Sequence, residues 1–153
     1  YEDILYDRES LLDKLLSCET ATEIKYQINN ILKEACDRIN ESQNIHNNQL
    51  IEDIINYIDS QYYDIDLNVS KIADHFQINL SYLSKFFKKQ TGQGLLDYIN
   101  KVRIEKAKEI LREDTLSIKE ISKKVGFYNS NAFIRVFKKY EGITPGKYRD
   151  SKV

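Results

Sequence analysis

The second half of this chain repeats the first at a nearly fixed offset. Lys85-Phe86-Phe87-Lys88-Lys89 lines up with Arg135-Val136-Phe137-Lys138-Lys139 when the sequence is shifted by 50 positions. The same shift pairs Leu83 with Phe133, Gly92 with Gly142 and Tyr98 with Tyr148. Ile72 pairs with Ile121 at a shift of 49, so the intervening turn is one residue longer in the second copy. Each copy reads as a short helix, a turn, then a longer helix with a basic end. A chain that uses one supersecondary unit twice has few architectures open to it.

Helical periodicity fills the space around the repeat. Leu50, Ile51, Ile54, Ile55 and Ile58 recur at helical spacing and predict a helix ending near Gln61. Asn68 or Ser70 suits the start of the next short helix, which carries Ile72 and Ala73. A break follows at residues 77–79. The next helix is SYLSKFFKKQ, with Leu83, Phe86 and Phe87 inward. Thr91-Gly92 ends it, because Gly tolerates the left-handed position after a helix. A long helix follows over roughly residues 95–112, about 27 Å at the α-helical rise. Ser117 and Glu120 have capping-box spacing and open the second copy's short helix, which Gly126 closes. Asn129 or Ser130 caps the helix that runs to about Tyr140, and Gly142 stops it. Thr144-Pro145 begins a last short helix, with Pro at the first helical position. The expected fold is all-α: two helix-turn-helix subdomains joined by a long linker helix and preceded by an N-terminal helical segment.

That segment has its own pattern. Leu11, Leu12, Leu15 and Leu16 make a short apolar stripe, and Ile24, Ile28, Ile31, Leu32, Ala35 and Ile39 a longer one, so two helices are expected. Residues 40–48, NESQNIHNN, lack periodicity and read as a linker or loop. The expected division is residues 1–48 and residues 49–153. The first part is expected to be a linker, a dimerisation element or the tail of a sensor or receiver domain. Residue 1 is not Met, so a fragment or processed product is expected.

Charge divides along the same line. The net charge is −1, but residues 1–66 carry 15 acids and 5 bases, whereas residues 67–153 carry 9 acids and 18 bases. A basic half of this kind is the footprint of a protein facing a polyanion. In a helix-turn-helix unit the second helix lies in the major groove. Two such helices on one chain must reach groove segments about 34 Å apart, and a rigid linker helix of similar length sets that separation. One chain then replaces the usual dimer and permits a non-palindromic site.

The residues from about 48 to 149 resemble the DNA-binding domain of the AraC/XylS family of bacterial transcription regulators. The resemblance is carried by IADHF, LSYLSKFFKKQTGQGLLDYINKVRIEKAKEIL, ISKKVGF and AFIRVFKKYEGITPGKYR. Gly126-Phe127, Phe133, Arg135, Phe137-Lys138, Gly142, Thr144-Pro145 and Tyr148-Arg149 sit at the family's spacing. The resemblance implies a seven-helix domain that binds double-stranded promoter DNA, with recognition helices near residues 80–90 and 130–140. It implies base readout by Ser81, Ser84 and Lys85 in the first helix and by Ser130, Asn131 and Arg135 in the second. Arg pairs bidentately with guanine, Asn with adenine, and Ser with either. The first helix departs from many relatives in having Lys and two serines where longer side chains are common. Lys88, Lys89, Lys138, Lys139 and Lys147 are candidate phosphate contacts, with the helix starts at Asn79 and Asn129. RNA polymerase is a candidate second partner, and residues 1–48 a candidate homodimer contact. A member that carries a receiver domain would instead be the output end of a two-component response regulator.

Enzymatic chemistry has little to stand on. His46 lies in the polar stretch and His75 in a short packing helix, and no nucleophile elbow, phosphate loop or metal cluster appears. Cys18 and Cys36 have no metal or redox spacing. The expected location is the cytoplasm, at the nucleoid, with no cofactor, no metal and no membrane span. Phe86, Phe87, Phe133 and Phe137 are expected in the core rather than against bases.

Overall fold

A computed structural model describes residues 8–113 and 116–151. The chain divides into two compact parts, Tyr1–Leu50 and Ile51–Val153. Helix α1 is Arg8–Leu16 and α2 is Ala21–Gln61. A capping box opens α2: the Thr20 hydroxyl accepts from the Glu23 amide, and the Glu23 carboxylate accepts from the Thr20 amide. The loop expected at residues 40–48 is absent, because that stretch is helical throughout. It contains neither Pro nor Gly, and its Asn, Gln and Glu residues are only mildly unfavourable in a helix. Extending an existing helix gains one hydrogen bond per residue fixed, so strong flanking runs carry it through.

The second part holds the repeat. Its elements after the end of α2 are α3 (Val69–His75), α4 (Leu80–Thr91), α5 (Leu95–Glu113), α6 (Ile118–Lys124), α7 (Ser130–Glu141) and α8 (Pro145–Asp150). Seven helices therefore make up this part among the described residues, with no strand. The caps fall at helix starts the sequence offered, Asn68 rather than Ser70 and Asn129 rather than Ser130. The side chains of Asn68, Asn79, Ser117, Asn129 and Thr144 each accept from an amide in the first turn of the following helix. Gly92 and Gly142 close α4 and α7, both at φ = 76°.

Burial follows the apolar periodicity. Ile54 and Ile58 from the end of α2, Ile72 of α3, and Leu83 and Phe87 of α4 are fully buried in the first unit. The second unit's core gathers Ile121 of α6, Val125 and Phe127 of the turn after it, Phe133 and Phe137 of α7, and Tyr148 of α8 against Ile104, Ala107 and Leu111 of α5. The linker helix is thus a wall of the second core as well as a spacer. Truncating any one of these phenylalanines to Ala would cost about 3–5 kcal/mol. No helix among the described residues is long and apolar enough to cross a membrane.

Candidate nucleic-acid interface

The two units match hydrogen bond by hydrogen bond through their turns. In the first, the Phe76 amide donates to Ile72, Gln77 to Asp74 and Ile78 to Ala73, at 3.1, 3.2 and 3.0 Å. In the second, Val125 donates to Ile121, Gly126 to Lys123 and Phe127 to Ser122, at 3.0, 3.1 and 2.9 Å. Asn79 then caps α4 directly, whereas Tyr128 intervenes before Asn129 caps α7. Tyr128 is therefore the extra residue of the second copy.

Helices α4 and α7 are each 12 residues long and bury their phenylalanines on one side. The opposite side carries the expected readers. Ser81 and Lys85 are exposed at i and i+4 on α4, and Asn131 and Arg135 at the same spacing on α7. Arg135 has no hydrogen bond or ion pair among the described residues, so no structural role competes for its guanidinium. Ser84 and Ser130 are half-buried. The Ser84 hydroxyl donates back to the Leu80 carbonyl at 2.9 Å, which leaves it only as an acceptor.

The helix starts are partly occupied. The Asn79 carbonyl oxygen accepts from the amides of Ser81 and Tyr82 at 2.9 and 3.3 Å. The Asn129 oxygen accepts only from Ala132, at 2.8 Å, so its carboxamide NH2 and the Asn131 amide remain as donors. Among the phosphate candidates, Lys88, Lys89, Lys138 and Lys147 are exposed, with no partner among the described residues. Lys139 differs: its ammonium lies 3.1 Å from Asp97 on α5. That hydrogen bond and charge hold the Asp97 carboxyl below its usual range. The Tyr140 hydroxyl donates to the Asp97 carbonyl at 3.0 Å, so this end of α7 is fastened to the linker helix.

Composition could not show which cations are free. Lys71 is paired with Asp64, Lys106 with Glu109, and Lys108 with Glu105 and Glu141. Arg112 donates to the Tyr148 hydroxyl at 2.9 Å and Arg149 to the Leu116 carbonyl at 2.6 Å. Among the described residues of the basic half, the unpaired bases concentrate on α4, α7 and α6. Lys119, Lys123 and Lys124 of α6 are exposed and unpaired among the described residues, and the sequence reading passed over them.

Arg103 is the other residue missed. It is 7% exposed and donates from Nε to the Tyr62 carbonyl at 2.9 Å and from Nη2 to the Asp64 carbonyl at 2.7 Å. Its guanidinium lies 5.6 Å from the centre of the Phe127 ring. Burial pushes its pKa down and the nearby Asp64 charge pushes it up. Gly126 sits beside it at φ = 83°, where an added Cβ would lie 2.4 Å from the Tyr62 carbonyl oxygen. The turn leading into α7 is thus locked to the loop after α2. The signal was present in the sequence: Arg103 falls on the apolar face of α5, four residues from both Ile99 and Ala107.

Comparison with known proteins agrees with this geometry. Residues 72–151 match the family model described as a helix-turn-helix domain. The HTH-type transcriptional regulator YtdP of Bacillus subtilis is 32% identical over 149 residues, covering 97% of this chain and 19% of that protein. The chain therefore spans about a fifth of that relative. The C-terminal domain of the two-component response regulator yesN from Fusobacterium nucleatum is 41% identical at a TM-score of 0.63, covering 64% of this chain and 95% of that one. The C-terminal domain of AraT, a response regulator from Geobacillus stearothermophilus, is 31% identical at a TM-score of 0.65, covering 66% and 84%. The chain belongs to the AraC-type helix-turn-helix family of transcription regulators.

Proposed function

We propose that residues 49–153 bind double-stranded promoter DNA sequence-specifically, with α4 and α7 in two successive major-groove segments, as the output of a cytoplasmic transcription regulator. The observation that carries this is the matched pair of exposed helix faces, Ser81/Lys85 and Asn131/Arg135, on units joined by the 19-residue helix α5. At the α-helical rise α5 is about 28 Å long, close to one turn of duplex. Lys88, Lys89, Lys138 and Lys147 supply sequence-independent phosphate contacts, and Arg135 and Asn131 the strongest base contacts.

The test is the salt dependence of binding to a labelled promoter duplex. Neutralising about six phosphates predicts a loss of about 10³ in affinity between 50 and 200 mM salt. Affinity that ignores salt, or no binding at low salt, contradicts the reading. A second reading concerns residues 1–48. Ile24, Ile28, Leu32 and Ile39 remain 39–58% exposed on one face of α2, which favours a homodimer through this segment. Sedimentation of the chain at micromolar concentration as one mass, rather than two, would sink that part.

A further inference from the structure

We propose that Tyr128 is a DNA-backbone contact of the second unit, its hydroxyl donating to a phosphate beside the groove that α7 occupies. The inference rests on the reading of α7 as a recognition helix. Tyr128 is 84% exposed, and its hydroxyl has no partner among the described residues. Neither packing nor an internal hydrogen bond explains it.

Its seat, by contrast, is fixed. Phe127 before it is 6% exposed, and its amide donates a hydrogen bond to the Ser122 carbonyl. Gly126 is wedged against the Tyr62 carbonyl, and Arg103 lies over the Phe127 ring. Asn129 after it is held by its cap on α7. A tyrosine projecting from so rigid a base loses only two side-chain torsions on binding, a low entropic cost.

The position fits a phosphate. Tyr128 lies three residues before Asn131, so their Cα atoms are at most about 11 Å apart. A helix on the floor of a groove about 12 Å wide has phosphates along both walls. The chain entering that helix must pass one wall. Tyrosine hydroxyls are regular donors to phosphate oxygens. Lys123 and Lys124, exposed at the end of α6, raise the positive potential at this corner. The first unit has Asp74 and His75 at the matched positions and no residue matching Tyr128.

The test measures affinity by fluorescence anisotropy at one salt concentration, on a duplex selected from a random pool and on its scrambled version. Tyr128→Phe should weaken binding to both duplexes by about tenfold, as loss of a hydrogen bond to a charged group does. Tyr63→Phe, 54% exposed on the loop after α2, is the control and should change nothing. If Tyr128→Phe binds like the parent while Lys138→Ala is weakened, the proposal fails and the reading of α7 stands. A loss confined to the selected duplex makes Tyr128 a base reader and overturns the backbone assignment. Unchanged DNA affinity with loss of self-association makes its partner a protein and also overturns it. If the parent binds neither duplex, the reading of α7 itself falls and this proposal with it.

Discussion

In the first unit the turn after α3 passes through Gln77 at φ = 54°; in the second the matched residue is Gly126 at φ = 83°. Both backbones are left-handed and make the same turn. They differ in what surrounds them. Gln77 is exposed, so a side chain there meets only the intrinsic cost of a left-handed residue. Gly126 is packed against the Tyr62 carbonyl, the Tyr63 backbone and Arg103, so no side chain fits. One backbone plan thus serves two surroundings: a turn at the surface, and a turn clamped between the linker helix and the loop after α2. The surfaces differ in the same sense. The short helix of the first unit ends in Asp74 and His75, with His75 stacked on Tyr57 at 4.0 Å between ring centres. That of the second ends in Lys123 and Lys124 and leads to Tyr128. Repetition has kept the hydrogen bonds and let the packing and charge diverge.

Exchanging the turn residues tests this difference hardest. Gly126→Gln should cost about 3 kcal/mol or more, summing left-handed strain and a steric clash with backbone. Gln77→Gly should change stability by less than about 1 kcal/mol, because relief of strain and gain of unfolded-state entropy oppose each other. Urea unfolding of both variants measures the pair. Equal costs would show that the two turns sit in equivalent surroundings.

The Arg103 clamp comes next. Arg103→Met should destabilise by about 2–3 kcal/mol, since the carbonyls of Tyr62 and Asp64 lose a charged donor. Arg103→Lys should recover less than half, because one ammonium cannot reproduce the planar fork. An Arg103→Met variant that melts with the parent would mean that the turn before α7 is held by packing alone.

A smaller effect separates the two recognition helices. Lys85 and Arg135 occupy matched positions, but only Arg presents a rigid planar fork of donors to guanine. Arg135→Ala should weaken specific binding by about 1–3 kcal/mol and relax the preference at one base pair. Lys85→Ala should weaken specific and scrambled duplexes alike, by less than about 1 kcal/mol, and flatten the salt slope by about one unit. Greater loss of sequence preference in Lys85→Ala than in Arg135→Ala would reverse the assignment of readout to the second unit.

The contrast also marks what a sequence carries. Caps are local and need only the next three residues: the Ser117–Glu120 box and the Thr144-Pro145 start were read outright, Asn68 and Asn129 each as one of two choices, and Asn79 as a helix start. The apolar stripes placed the buried phenylalanines for the same reason. Residues 40–48 misled because polarity was read as a break, although nothing in the stretch stops a helix from propagating. The change of shift from 50 to 49 announced an extra turn residue, but only the hydrogen bonds of the two turns identify it as Tyr128. Arg103 and Lys139 were hidden for another reason. Their partners lie far along the chain, at separations of 41 residues for Arg103 with Tyr62 and 42 for Lys139 with Asp97. A count of 18 bases cannot tell a clamp from a phosphate contact.

The central claim is that two unequal helix-turn-helix units on one chain read one face of a duplex. Footprinting of guanine N7 and backbone on a duplex selected from a random pool tests it most directly. The account predicts two protected major-groove tracts on the same face, with centres about 10 base pairs apart. Base protection should be stronger in the tract that Arg135→Ala erases. A single protected tract, or two tracts on opposite faces, would contradict it.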